Sequence, residues 1–436
     1  MITKLRGTKI QIIYALKTKI YILAISMYFL YNIAIYLTGF LLKIVSLFNK
    51  KLLLFVQGRK ETFNKLSSAI SKNDQTIWFH CASLGEFEQG RPIIEKIRSK
   101  YPHYKIVLTF FSPSGYEVRK NYAFADVVTY LPLDTKINAK KFLEIVHPSM
   151  AVFVKYEFWP NILKALKKQN TETILVSGIF RENQAFFKSY GGWMKNSLKA
   201  FSHFFVQNEA SYKLLQQIGF KNVTLSGDTR FDRVYEITNQ DNDLPFMEDF
   251  IQNKYTLVAG STWPKDEAHL VNYINFHASE NEKFVIAPHN MNEKTIGELK
   301  NSIHKKTTLF SDKKRDNDAQ VFIVDTIGIL TKIYSYSNAA YIGGGFENGI
   351  HNILEPATFG VPLVIGPNYK KFQEAIDLVH LGACDVVKDS AALNEHLSRL
   401  FKDVAYRIKK GDISKNYIEE NIGATKIILN YMTDKI

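Results

Sequence analysis

Residues 341–376 of this 436-residue sequence bring together a Gly-rich turn, two ring or amide side chains and a carboxylate. The stretch reads as an apolar strand running into Gly343-Gly344-Gly345, a helical run opening near Asn352, and a second apolar strand ending in Gly366-Pro367. Glycines let a backbone approach a phosphate closely, and a helix N-terminus offers free N–H groups. Glu355, expected one turn into the helix, suits a pair of sugar hydroxyls better than a phosphate. With His351 and Asn352 beside it, the stretch reads as a nucleotide-sugar pocket; a tight structural turn is the alternative. Ala82-Ser83-Leu84-Gly85-Glu86 follows another apolar strand. Glu86 there fits a general base for an acceptor hydroxyl, or a carboxylate merely stabilised by the helix dipole. Glu157, in Lys155-Tyr156-Glu157-Phe158-Trp159-Pro160, stands at a similar junction, either orienting an acceptor or serving local packing, with Pro160 suited to a first helical turn.

Further candidates fall at other strand ends. Gly260-Ser261-Thr262 fits a phosphate at a helix start or a plain N-cap. Pro288-His289 ends the next strand, and Arg230 is placed to reach an anionic donor; Arg181, Lys370 and Lys371 are weaker candidates of the same kind. The sequence has no Asp-x-Asp pair of the type that holds a divalent cation, no His/Cys metal spacing and no Walker Gly-x-x-x-x-Gly-Lys run. Leaving-group charge would then fall to helix N-termini and basic side chains.

These residues need elements to hold them. From residue 74 apolar runs alternate with helical patterns, which implies parallel sheets with helices on both faces. Strands are expected at 76–82, 105–111, 127–131, 151–154, 174–176, 203–207 and 223–225, with a helix over 185–201. A polar stretch at 237–253 reads as a linker. The alternation then restarts, with strands at 255–259, 284–287, 321–324, 339–342, 362–365 and 385–387, and a helical, Lys-rich end. The expected organisation is an anchor over 1–50, a first Rossmann-like domain over 51–236, the linker, a second such domain over 254–403, and helices over 404–436 crossing back to the first. The two sheets would face a common cleft.

Residues 21–42 carry no charge, and about 20 apolar residues suffice to span a bilayer. Basic residues flank both sides, so charge does not set an orientation. A single span or a helix lying in the interface are both consistent, and a start at Met27 would favour the second. Lys plus Arg minus Asp plus Glu is 56 − 42 = +14, which suits anionic partners. The absence of arginine-rich or aromatic-interleaved runs ranks nucleic acid low. Two cysteines, Cys81 and Cys384, argue for a reducing compartment without a disulfide framework.

Taken together, the motifs resemble the Kdo (3-deoxy-D-manno-octulosonic acid) transferases of lipopolysaccharide synthesis, from about Tyr31 to the C-terminus. The resemblance rests on an apolar segment ending in Gly58-Arg59, then Ala82 to Glu86, Glu157-Phe158-Trp159-Pro160-Asn161, Ser177-Gly178, Gly260-Ser261-Thr262, Pro288-x-Asn290 and Gly343-Gly344-Gly345 to Glu355. It implies a GT-B fold, CMP-Kdo as donor, a lipid A precursor (lipid IVA) as acceptor, inversion at the anomeric carbon, no metal and no cofactor. It also implies the cytoplasmic face of the inner membrane. By position, it makes Glu86 the catalytic base, with Ser83, Gly85 and Glu157 supporting the acceptor. Arg230, Ser261, Thr262, Pro288, His289, Gly343, Gly344, Gly345, Asn352 and Glu355 become donor-binding. The family usually reads Pro-Arg-His where this chain has Pro288-His289-Asn290, and often Ser-Thr-His where it has Ser261-Thr262-Trp263. A GT-B transferase or epimerase using a UDP-sugar is the nearest rival, and a catalytically silent nucleotide-sugar-binding protein at the membrane is the second.

Overall fold

Among the described residues, fourteen short strands, most of them buried on both faces, build two seven-stranded parallel sheets. The computed structural model describes residues 26–436, so residues 1–25, with the first basic cluster and the start of the 21–42 segment, lie outside it. The described residues divide into two compact units, one reaching to residue 230 and including 423–436, the other residues 231–422.

In the first unit the strands are β1 (Thr76–Cys81), β2 (Lys105–Phe110), β3 (Val127–Tyr130), β4 (Met150–Val154), β5 (Glu172–Gly178), β6 (His203–Val206) and β7 (Val223–Leu225). Their order is β3-β2-β1-β4-β5-β6-β7. β1 and β4 are buried at every position, which is why they read as unbroken apolar runs rather than alternating ones. Trp78, Val107 and Phe153 pack one face of the sheet; Ile77, Phe79 and Val152 pack the other. Ile428 and Met432, from the helix Ala424–Thr433, complete that second face.

In the second unit the strands are β8 (Tyr255–Thr262), β9 (Glu282–Pro288), β10 (Thr307–Leu309), β11 (Val321–Ile323), β12 (Ala339–Ile342), β13 (Leu363–Ile365) and β14 (Cys384–Val386). The order is β10-β11-β9-β8-β12-β13-β14. Each sheet therefore reverses direction once, between β1 and β4 and between β8 and β12. Open α/β sheets take their ligands outside the carboxyl ends at that reversal.

Several elements differ from what the sequence suggests. The helix expected over 185–201 is two 3₁₀ turns, Ala185–Phe187 and Ser189–Gly191, and a helix Gly192–Leu198. A Cβ on Gly191 would sit 1.5 Å from the Ala185 carbonyl oxygen, so the chain folds back where a regular helix would run on. Residues 237–253, read as a linker, carry the helix Pro245–Ile251, whose Met247 and Phe250 are buried in the second unit's core. Of residues 404–436, the helix Val404–Glu420 lies in the second unit and Ala424–Thr433 in the first. A helix Ser26–Val45 precedes the first sheet, long and apolar enough to cross a membrane.

Candidate active site

The first unit's reversal point is flanked by the loops after β1 and β4, and these carry the two carboxylates. Ser83 is the N-cap of the helix Leu84–Lys100, and Glu86 is its third residue. That spacing suits a reciprocal cap, yet the Ser83 hydroxyl makes no cap bond; it donates to the Glu86 carboxylate instead. Glu86 is 5% exposed, and Lys155 Nζ lies 3.8 Å from its second oxygen. The Tyr156 hydroxyl also bonds it. Burial, then the Glu86 charge, then that hydrogen bond raise the Tyr156 pKa. Glu86 is thus held by three side chains and is not spent on the helix start.

Glu157 is 8% exposed and accepts from Trp159 Nε1 at 3.0 Å, with His80 Nε2 at 3.4 Å. Trp159 stands at the N-cap position of the helix Pro160–Lys168 without capping it by its side chain, and Pro160 is at the first position. Both carboxylates are close enough to Cys81 that, after burial, their charges push its thiol pKa up. Glu86 and Glu157 therefore share one neighbourhood. Arg230 also belongs to the first unit, and its guanidinium donates to the buried Asp228 from Nε at 2.9 Å and Nη2 at 2.8 Å. Burial opposes ionisation of Asp228, but Arg230, followed by the hydrogen bonds from Arg230 and Gln89, outweighs it and holds the carboxyl below its usual range.

In the second unit the loops after β8 and β12 flank the reversal. The strand β8 runs on through Ser261, which takes φ +54° where the register with β9 shifts, so Ser261 is a bulge residue rather than a helix start. The Thr262 hydroxyl donates to Glu267 at 2.9 Å. Trp263 N–H donates to Asp266 Oδ2 at 2.9 Å at the head of the helix Pro264–Phe276. The same oxygen accepts from Gly344 N–H at 2.7 Å, and Asp266 Oδ1 from the Tyr341 hydroxyl at 2.7 Å. Fully buried, Asp266 ties the helix head to the glycine turn.

All three glycines of that turn are forced by their neighbours. A Cβ would lie 2.3 Å from Ser261 O at Gly343, 2.3 Å from Gly349 O at Gly344, and 2.6 Å from Gly366 N at Gly345. No helix begins beside them. The next one is Leu354–Ala357, with Glu355 its second residue rather than one turn in. Asn352 brings the chain to that start: its side-chain oxygen accepts from Leu354 N–H at 3.2 Å, and its amide donates to Glu355 Oε1 at 2.9 Å. Glu355 Oε2 accepts from Thr331 at 2.8 Å.

Pro288 closes β9 and His289 follows it. The His289 ring stacks on Trp263, centroids 4.6 Å apart at 15°, and lies 4.6 Å from His351. Trp263 Nε1 donates to His351 Nε2 at 2.9 Å. Burial, then the neighbouring His289, lower the His351 pKa to about 4. The structure thus brings Ser261, Thr262, His289, Gly343, Gly344 and Gly345 to one sheet end, with Asn352 and Glu355 on the loop that follows. Sequence reasoning missed Asp266 and did not assign Trp263. The spacing of Asp266, three residues into the helix after Trp263-Pro264, was the available signal.

Two parallel doubly wound sheets, each with its polar groups at the reversal point, give the chain a GT-B-like fold. Residues 57–233 match the family described as 3-Deoxy-D-manno-octulosonic-acid transferase (kdotransferase). Among curated relatives, a 3-deoxy-D-manno-octulosonic acid transferase of Aquifex aeolicus is 28% identical over 354 residues, 79% of this chain and 92% of that protein. One from Haemophilus influenzae is 26% identical over 399 residues, 85% of this chain and 90% of that one. Among solved structures, UDP-GlcNAc 2-epimerase from Neisseria meningitidis superposes with a TM-score of 0.58 at 16% identity, covering 83% of this chain and all of that one; this likeness is one of fold. The family match over residues 57–233 and the Kdo transferases that resemble most of the chain's length support a glycosyltransferase.

Proposed function

We propose that the protein transfers Kdo from CMP-Kdo to a lipid A precursor, lipid IVA, inverting the anomeric carbon without a metal, at the cytoplasmic face of the inner membrane. The observation that most supports this reading is the setting of Glu86. It is a nearly buried carboxylate at the carboxyl end of β1, held by Ser83, Lys155 and Tyr156 and released from capping duty. In the reaction, Glu86 accepts the proton of the acceptor hydroxyl. The hydroxyl oxygen bonds to the anomeric carbon as the bond to the CMP phosphate oxygen breaks, and CMP leaves with that electron pair. Positive charge grows on the sugar as this happens, as in other glycosyl transfers. Ser83, Lys155 and Tyr156 keep the carboxylate in place. In the second unit, Glu355, oriented by Asn352 and Thr331, is assigned to donor hydroxyls, and Ser261 and His289 stand beside the turn where the donor would lie.

A transfer assay tests the reading. Purified protein, CMP-Kdo generated in situ and a tetraacylated, bisphosphorylated lipid A precursor are combined, and products are read by mass spectrometry. A product heavier by one or two Kdo units is expected. CMP binding without any product would overturn the acceptor assignment, and binding of UDP in preference to CMP would overturn the donor.

A further inference from the structure

The helix Ser26–Val45 has two faces with opposite surroundings. Tyr28, Tyr31, Asn32, Ile35, Gly39 and Leu42, spaced three, one, three, four and three residues apart, are each half-buried, a single stripe of a helix. On this side the Tyr28 hydroxyl donates to Asn161 Oδ1 at 2.5 Å and the Tyr31 hydroxyl to Asp134 Oδ2 at 2.7 Å. Asn161 Nδ2 donates to Asn32 at 3.1 Å. The Tyr31 ring lies 5.5 Å from Trp193, and a Cβ on Gly39 would touch Leu133 at 3.0 Å. Asp134 also accepts the Asn161 and Ile162 N–H groups, both at 2.9 Å, so the docking network is the one that caps the helix Pro160–Lys168. The opposite face is bare and apolar: Phe29 is 64% exposed and Phe40 61%, with Ile33, Leu37, Ile44 and Phe48 alongside.

A helix crossing a bilayer is surrounded by acyl chains, where hydrogen-bonding partners are scarce and expensive to leave unpaired. This helix instead follows the surface of the first unit from Tyr28 to Gly39, about 16 Å at the helical rise. The two helices beside it, Lys136–Val146 and Pro160–Lys168, carry Lys136, Lys140, Lys141, Lys164, Lys167 and Lys168 against one acid, Glu144. Lys136 and Lys164 place their Nζ atoms 5.3 and 4.7 Å from the Tyr28 ring centroid. Apolar side chains flanked by lysines match an anionic lipid surface, the signature of an in-plane helix.

We infer that the helix Ser26–Val45 lies along an anionic lipid leaflet, docked by its polar stripe to the first unit and sunk by its apolar stripe into the acyl boundary, and does not cross the bilayer. This does not rest on the identity of the substrates. One consequence does rest on the proposed function: Asn161 is four residues beyond Glu157, so the docking network carries the carboxylates down to headgroup level, where a lipid-borne acceptor stays in its leaflet.

Depth measurements on the full chain test it. Single cysteines are placed in turn by F29C, I33C, L37C, F40C and I44C, spin-labelled, and read by power saturation on vesicles rich in anionic lipid. Depths within roughly 5 Å of one another, all about 5–10 Å below the headgroups, are expected. A depth that rises to a maximum near Leu37 and falls towards both ends overturns the inference. The unsubstituted protein supplies a second measurement, co-sedimentation with vesicles. Binding at least tenfold stronger to anionic than to zwitterionic vesicles, and weakened by salt, is expected; equal binding, or none, overturns the lipid face.

Discussion

A methyl group added at Gly85 meets only the Ser83 hydroxyl, at 3.8 Å; one added at Gly344 would collide with the Gly349 carbonyl at 2.3 Å, on a backbone held at φ +91°. Both glycines stand at the reversal point of a parallel sheet, and in the sequence the triplet is the louder signal. The structure inverts their meaning. Gly343, Gly344 and Gly345 are demanded by the fold, and the Gly344 N–H is already given to Asp266. Gly85, by contrast, is not forced by any close neighbour. The polar groups differ in the same way. Those of the first unit converge on one nearly buried carboxylate, Glu86, whereas those of the second are tied to each other in an aromatic and backbone framework.

Substitutions sharpen or break this contrast. Glu86→Gln keeps the shape and removes the base. Transfer should fall by roughly 10²–10⁴, with CMP affinity by calorimetry unchanged; near-normal turnover would remove Glu86 from the reaction. Gly344→Ala forces a β-carbon into a carbonyl at positive φ. It should cost roughly 3 kcal/mol of stability in the second unit, read by denaturant titration, and a neutral result would return the triplet to a ligand-driven role.

The Trp263–His289–His351 stack gives a pH test. With its pKa near 4 in the fold against an ordinary 6.5, His351 stays neutral while the unfolded chain takes up a proton. No stability is lost above pH 6.5, and loss accumulates as the pH falls from 6.5 towards 4. The shift converts to about 3 kcal/mol, reduced to about 2 kcal/mol because the ring is partly exposed. Replacing His351 with Gln should flatten the slope of midpoint against pH over that interval. The smallest stability effect belongs to Gly85→Ala, where the helical position tolerates alanine and stability should hold or rise by about 0.5–1 kcal/mol. If Gly85 borders the acceptor as proposed, transfer by this variant should nevertheless fall at least tenfold; full activity would remove Gly85 from the acceptor site.

Most strands were legible because parallel strands buried on both faces leave uninterrupted apolar runs, as at β1 and β4. The missed strand β10, Thr307–Leu309, reads Thr-Thr-Leu and leaves no apolar run to find. The strand-end positions of Glu86, Glu157 and His289 followed from the same alternation. The short helix after the glycine turn did not, because Asn352 and Glu355 bond each other locally and make a loop look periodic. Asp266 was hidden for a different reason. Its partners Tyr341 and Gly344 lie 75 and 78 residues away, and only the sheet order, which sets β12 against β8, brings them together.

The helix Ala424–Thr433 has a consequence for synthesis. Its Ile428 and Met432 fill the same face as Ile77, Phe79 and Val152, so the first unit cannot close its core on the ribosome while the second is still being made. A nascent chain waits with one side of its first sheet uncovered until the whole second unit has emerged. Nonsense truncations ahead of residue 424 should accordingly be cleared by proteases as unfinished first units, whatever the condition of the second.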